Sequence, residues 1–213
     1  MRLIQLAALC ALAFVHAGCV YTVHPILHES DLKNELDLSG EWELQVKDPK
    51  QKGNKLTVEG FSKGVASQYD ISWFDKDFVA QIGKIGDDYY VQVQKRELAP
   101  EAPPLLTALP VYAIAKLKFT DDKLEVFKID ETLALPFMKR SKVAFIRYKP
   151  GPEFYVLTGA TESLQDLIRQ SGGELFSKTP MTFIRTRRPD EQAHAPEHAI
   201  QPNLKSTSSP RAR

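Results

Sequence analysis

Cysteine is almost missing from this chain of 213 residues, and the two that occur, Cys10 and Cys19, both stand near the N-terminus. From Val20 to Arg213 there is no thiol. That stretch therefore has no intrachain disulfide, no cysteine nucleophile and no zinc-thiolate site. Histidine is scarce where it would matter: His16, His24, His28, His194 and His198 all lie outside the central part of the chain that carries hydrophobic periodicity. A Ser-His-Asp triad, an HExxH zinc site or a histidine general base inside the fold is excluded by inventory, which leaves carboxylates, Lys and Tyr for any acid-base work. Neither sign of charge is in excess, with 28 Lys and Arg against 27 Asp and Glu. Phosphate neutralisation needs a basic excess or a dense basic stripe, so nucleic acid is not an expected partner. What remains, 43% hydrophobic and 26% charged residues, is the composition of an ordinary globular domain.

Residues 1–18 read as a secretory signal. Arg2 supplies the positive start, and Leu3 to Val15 is an apolar run broken only by Gln5, too short to cross a membrane as a helix. The run ends in Val15-His16-Ala17-Gly18-Cys19. Ala17, Gly18 and Cys19 resemble the lipobox of bacterial lipoproteins, in which a small pair precedes a cysteine that is diacylated on sulfur and becomes the mature N-terminus. Ordinary signal-peptidase cleavage after Ala17 or after Ala13 is the alternative reading of the same residues. On the lipoprotein reading Cys19 carries the acyl groups, palmitate-like chains whose number suffices for stable membrane anchoring. The resemblance further implies export to the bacterial cell envelope, and Val20, in place of an Asp after the cysteine, implies the outer membrane.

Residues 19–38 read as a lipidated tether, with Pro25 and polar residues but no sustained periodicity. Residues 189–213 read as a disordered tail: Pro189, Pro196, Pro202 and Pro210 stand among Gln, His, Ser and Lys, and too little apolar surface is on hand to offset the entropy of ordering. Between them, residues 39–188 form the predicted domain. Its dominant signal has period two, the mark of half-buried strands. Trp42, Leu44 and Val46 alternate with polar residues, as do Tyr69, Ile71 and Trp73, then Phe78, Ala80 and Ile82, then Tyr89, Val91 and Val93. Ala113 to Phe119, Leu124 and Val126, Val143 to Tyr148, Phe154 to Leu157 and Met181 to Arg187 bring the count to about nine strands.

Thr161 to Gly173 departs from that period. Leu164, Leu167 and Ile168 fall at helical spacing, Thr161 is placed to cap the start and Gly172-Gly173 to end the helix. A shorter helical turn is predicted over Asp130 to Leu135, before Pro136, and the Pro-rich stretch Ala99 to Pro110 as a long loop over an open end.

About nine short antiparallel strands, a helix packed outside the sheet and one last strand is an order that resembles lipocalin-like barrels. Ser39-Gly40-Glu41-Trp42 resembles the G-x-W element that opens the first lipocalin strand. The likeness implies that Trp42 plugs the closed end and that an arginine of the last strand, Arg185, Arg187 or Arg188, lies over its ring. Leu38-Ser39-Gly40-Glu41-Trp42 and Leu157-Thr158-Gly159-Ala160-Thr161-Glu162-Ser163-Leu164-Gln165 are also similar to segments of an uncharacterised bacterial lipoprotein family, which implies the barrel but no activity.

A barrel of this size either holds one small ligand or is filled by its own side chains, and the sequence pattern is the same for both. Tyr69, Trp73, Phe78, Tyr89 and Val91 are the candidates to line an apolar cavity. The carboxylate pairs Asp75/Asp77, Asp87-Asp88 and Asp121-Asp122 lie beside Gly or Lys at strand ends and read as turns, so no metal, cofactor or catalytic site is predicted from them. The functional expectation is an envelope lipoprotein that binds a small apolar molecule. The alternatives are a structural lipoprotein that contacts another envelope protein and, last, an enzyme working with carboxylates and Tyr.

Overall fold

The computed structural model describes residues 20–33, 36–46, 54–59, 68–73, 76–95, 110–141, 143–148 and 154–188. The signal segment, Cys19, Asp75, nearly all of the Pro-rich loop and the tail lie outside the described residues. Eight antiparallel strands close into a barrel: β2 (Gly40–Leu44), β3 (Lys55–Glu59), β4 (Gln68–Trp73), β5 (Lys76–Ile85), β6 (Asp88–Lys95), β7 (Tyr112–Phe119), β8 (Lys123–Lys128) and β11 (Met181–Arg187). Pairing of β6 with β7, and of β11 with both β2 and β8, completes the cylinder and leaves the barrel no free edge. The protein is thus mainly β, a closed antiparallel barrel with a helix before the last strand. Among the described residues there are eleven strands rather than nine, because Lys55–Glu59 joins the barrel and β1 (Val20–Thr22) forms ahead of it.

Of the described strands, three lie outside the barrel. β1 pairs antiparallel with the start of β7, Tyr21 opposite Ala113, and parallel with β10 (Phe154–Leu157), Tyr21 opposite Val156. β9 (Phe145–Tyr148) pairs with the far side of β10. All four residues of β10 are buried, as a strand covered on both faces requires, which accounts for its unbroken apolar run.

The segment read as a tether is instead built into the fold. Thr22 and Ile26 are fully buried, and Leu27 nearly so. The Gln92 side chain, pointing outward from β6, accepts hydrogen bonds from the backbone N–H groups of Ile26 (2.7 Å) and Leu27 (3.1 Å). From the other side Gln165 donates to the carbonyl of Ile26 (2.8 Å) and to Asp31 (2.7 Å). This stretch has no periodicity because it runs between two elements whose amides satisfy its backbone, so neither helix nor strand is required of it.

Gln165 belongs to α2 (Thr161–Ser171), whose Leu164, Leu167 and Ile168 are buried against the barrel's outer wall. Burial of each contributes about 1.5–3 kcal/mol. Gly172, at φ +58°, ends the helix in the left-handed conformation as expected. Thr161 does not cap it: Thr161 is the first helical residue, and its hydroxyl donates to the carbonyl of Pro25 at 2.7 Å. The other helix, α1 (Glu131–Arg140), is longer than predicted and runs through the exposed Pro136. Asp130 caps it, accepting from the N–H groups of Thr132 and Leu133. Hydrogen bonding to Thr132 holds this carboxyl below its ordinary pKa.

Two large cores and one small cluster result among the described residues. One core lines the inside of the barrel, the other packs Ile26, Leu27 and the helices against the outward-facing Ile85, Tyr90 and Ile114, and the small cluster centres on Phe154 and Val156. Parts of β5 to β7, around Ile85, Tyr90 and Ile114, are therefore covered on both faces. No helix among the described residues is long and apolar enough to cross a membrane.

Candidate functional site

Strand register sets the two ends of the barrel apart. At one end lie Gly40, Glu59, Gln68, the β5–β6 turn and the last residues of β11; at the other lie Leu44, Lys55, Trp73, Lys76, Tyr112, Lys128 and Met181. The first end is closed. Leu36 and Leu38 are buried across it, ahead of β2. Trp42 is fully buried, with its indole N–H donating to the carbonyl of Leu38 at 3.0 Å. Tyr69, also fully buried, donates its hydroxyl to the carbonyl of Leu36. Burial, with the charge of Asp37 adding to it, pushes the Tyr69 pKa up to about 12.

Arg185 lies over Trp42, its guanidinium carbon 4.5 Å from the ring, and donates to the carbonyl of Asp37 at 2.7 Å. Of the candidate arginines this is the one that covers the tryptophan. Arg187, another of those candidates, does not. A register shift between Arg185 and Arg187 sets Arg187 opposite Glu41, and the two side chains pair at 3.8 Å on the outside. The same bulge explains the glycine of the G-x-W element. At Gly40, φ is +132°, and a Cβ there would stand 2.3 Å from the carbonyl oxygen of Arg187, so only glycine permits this approach of β2 to β11.

The interior above this floor is not filled. A cavity of about 230 Å³ runs up the barrel, with Leu38 and Tyr69 near its base. Its wall carries Val58, Ile71, Val91, Val93, Leu117 and Phe183 among others, and its rim is formed by Trp73, Met181, Lys128 and two residues of β1, Val20 and Tyr21. Trp73 meets Phe183 edge-on, ring centroids 6.1 Å apart. Of the predicted lining residues, Tyr69, Trp73, Phe78 and Val91 face the cavity. Tyr89 does not: it packs edge-on against Phe119, centroids 4.9 Å apart, with Lys84 over its other side. Alternation put Tyr89 on the inner face correctly, but it starts β6 just after the closed-end turn, below the level at which the barrel opens.

The described acidic pairs serve structure. Asp87 lies in the β5–β6 turn, Asp88 pairs with Lys116 at 2.6 Å, Asp122 with Arg188 at 3.0 Å, and Asp77 accepts from Ser72 at 2.7 Å. Sequence reasoning missed Leu38, Val58, Leu117 and Phe183 on the wall, among others, and Val20, Tyr21 and Lys128 at the rim. For Lys128 a signal was present, since it continues the inward alternation of Leu124 and Val126. Compared with protein-family models, curated proteins and solved structures, the chain matches none of them.

Proposed function

We propose that this protein is a lipid-anchored lipoprotein of the bacterial cell envelope whose barrel binds a small apolar molecule. The observation that carries the binding half is the cavity itself: an aliphatic and aromatic chamber, closed at the Trp42 end and reaching a rim at the other. Such a space holds water poorly and gains free energy when an apolar body replaces it.

The anchoring half rests on Cys19 and its resemblance to a lipobox cysteine. It gains support from the rim, because Val20, the next residue, is the first of β1 and lines the cavity. Adjacent Cα atoms are about 3.8 Å apart, so acyl chains on Cys19 would hold the mouth at the membrane and let an apolar ligand exchange with the bilayer without crossing water.

Native mass spectrometry of the full chain, extracted in mild detergent, tests the reading. A retained adduct of lipid-like mass, lost on delipidation and regained on incubation with the extracted lipids, is the expected result. A bare protein mass, together with no uptake of an apolar fluorophore, would overturn the binding half. Co-purification of one stoichiometric protein in place of a small molecule would favour the assembly function instead.

A further inference from the structure

We infer that the cavity takes a single-chain amphiphile with an anionic head group, its tail in the barrel and its head held at the mouth by Lys128. This rests on the proposed binding of an apolar molecule and names the chemical class. Inward positions of β8 fall on Leu124, Val126 and Lys128, and all three line the cavity. The first two are part of the apolar wall; the third, at the mouth, is the one charged side chain among the described lining residues. An inward register at a barrel rim lets the methylene stem of a lysine cover apolar wall while the ammonium stays at the entrance, in reach of water. Across the strand pair stands Ala115, which leaves that stem room.

The acid nearest in sequence makes no ion pair with this ammonium: hydrogen bonds from Thr132 do most to hold the Asp130 carboxyl below its ordinary pKa, and the Lys128 charge adds the smallest share. Asp130 turns its carboxylate to the start of α1, where the same oxygen, Oδ1, accepts from the Thr132 backbone (2.9 Å), the Thr132 hydroxyl (2.6 Å) and the Leu133 backbone (3.4 Å). Among the described residues no ion pair involves Lys128, whereas Lys55, Lys116 and Lys123 each have a carboxylate within 4 Å. The entrance thus joins an apolar chamber to one cation that has no carboxylate within 4 Å among the described residues. A neutral apolar molecule leaves that cation unused, a cationic head is repelled by it, and an anionic head gains a charge-assisted hydrogen bond. Along β8 the lining spans four residue steps, about 13 Å of strand, which suits one short acyl chain lying along the axis.

A fatty carboxylate and a phosphate monoester share this chemistry, so both enter the test. Delipidated full-length protein is titrated at neutral pH with decanoate, decyl phosphate and decanol, each below its aggregation threshold, and affinity is read by displacement of an apolar fluorophore and by calorimetry. One or both anions are expected to bind about tenfold tighter than the alcohol, the size of one charge-assisted hydrogen bond in a partly wet site. That preference should shrink as salt is raised. In Lys128→Gln the anions should fall to the level of decanol while decanol itself is unchanged, and Lys128→Arg should keep the preference. The stronger of the two anions identifies the head group. Equal binding of all three ligands by the wild type, or a preference that survives Lys128→Gln, overturns the inference and leaves apolar binding intact. If none of the three displaces the fluorophore, the binding reading fails and the inference with it. Because Lys128 is exposed, Lys128→Gln should melt with the wild type, so a loss of affinity will not be a loss of fold.

Discussion

Replacement of Trp42 by Ala tests the closed end directly. The side chain is fully buried, and truncation of an aromatic in a packed core costs about 3–5 kcal/mol. Two further losses are specific to this site. The carbonyl of Leu38 is left without the indole N–H that reaches it at 3.0 Å, at about 1–3 kcal/mol, and Arg185 loses the ring face 4.5 Å away, at about 0.5–2 kcal/mol. These terms share atoms and are not additive, so the expected total is about 4–6 kcal/mol, a large part of the stability of an ordinary domain. Trp42→Phe separates them: a ring remains beneath Arg185 while the N–H is gone, and the cost should fall to about 1–3 kcal/mol. Urea unfolding followed by circular dichroism gives both values. At about 2–4 °C per kcal/mol for a domain of this size, the Ala variant should melt about 8–24 °C lower. A loss below about 1.5 kcal/mol for Trp42→Ala at unchanged m-value, or equal losses for Ala and Phe, would refute the plugged-end geometry.

Trp73→Ala should behave in the opposite sense, weakening uptake of an apolar fluorophore several-fold while moving the melting temperature less than Trp42→Ala does, because Trp73 is only partly buried at the rim; ligand titrations beside thermal melts decide it. Gln92→Met keeps the side-chain volume but leaves the N–H groups of Ile26 and Leu27 without their acceptor, and should cost about 2–4 kcal/mol with faster hydrogen exchange confined to that segment. Stability should also fall with alkali. Tyr69 and Tyr90 titrate near 12 in the fold, through burial and the neighbouring Asp37 and Asp88, against about 10 in the unfolded chain, so the unfolded state releases its protons first. Their contribution is present in full below pH 10 and is lost as pH rises from 10 to 12, and Tyr90→Phe should flatten that slope in denaturant melts. Cys19→Ala should abolish partitioning into the membrane fraction, and acyl labelling that persists in that variant would count against Cys19 as the anchor.

The barrel itself was legible in the chain because a strand with one face inside a closed cylinder must alternate, and Tyr69, Ile71 and Trp73, or Leu117 and Phe119, carry that alternation in residue order alone. Helical spacing of Leu164, Leu167 and Ile168 was legible for the same reason, and so was the pairing of a final-strand arginine with Trp42, through the G-x-W resemblance. Other features depend on pieces far apart in sequence. Which arginine covers Trp42 was decided by a bulge at the β2–β11 seam, and a bulge leaves no periodic trace. The N-terminal segment lacks any pattern because Gln92 and Gln165, 73 residues apart, satisfy its backbone from two sides. Height along the barrel is likewise invisible to alternation, which reports inside or outside but not floor or rim. Tyr89 therefore sits against Phe119 beneath the cavity while Lys128, in the same inward register, stands at its mouth. An open interior in place of a filled one was settled only by how far the side chains of opposite walls reach across the barrel, a distance set by closure in three dimensions and not by the order of residues along any strand.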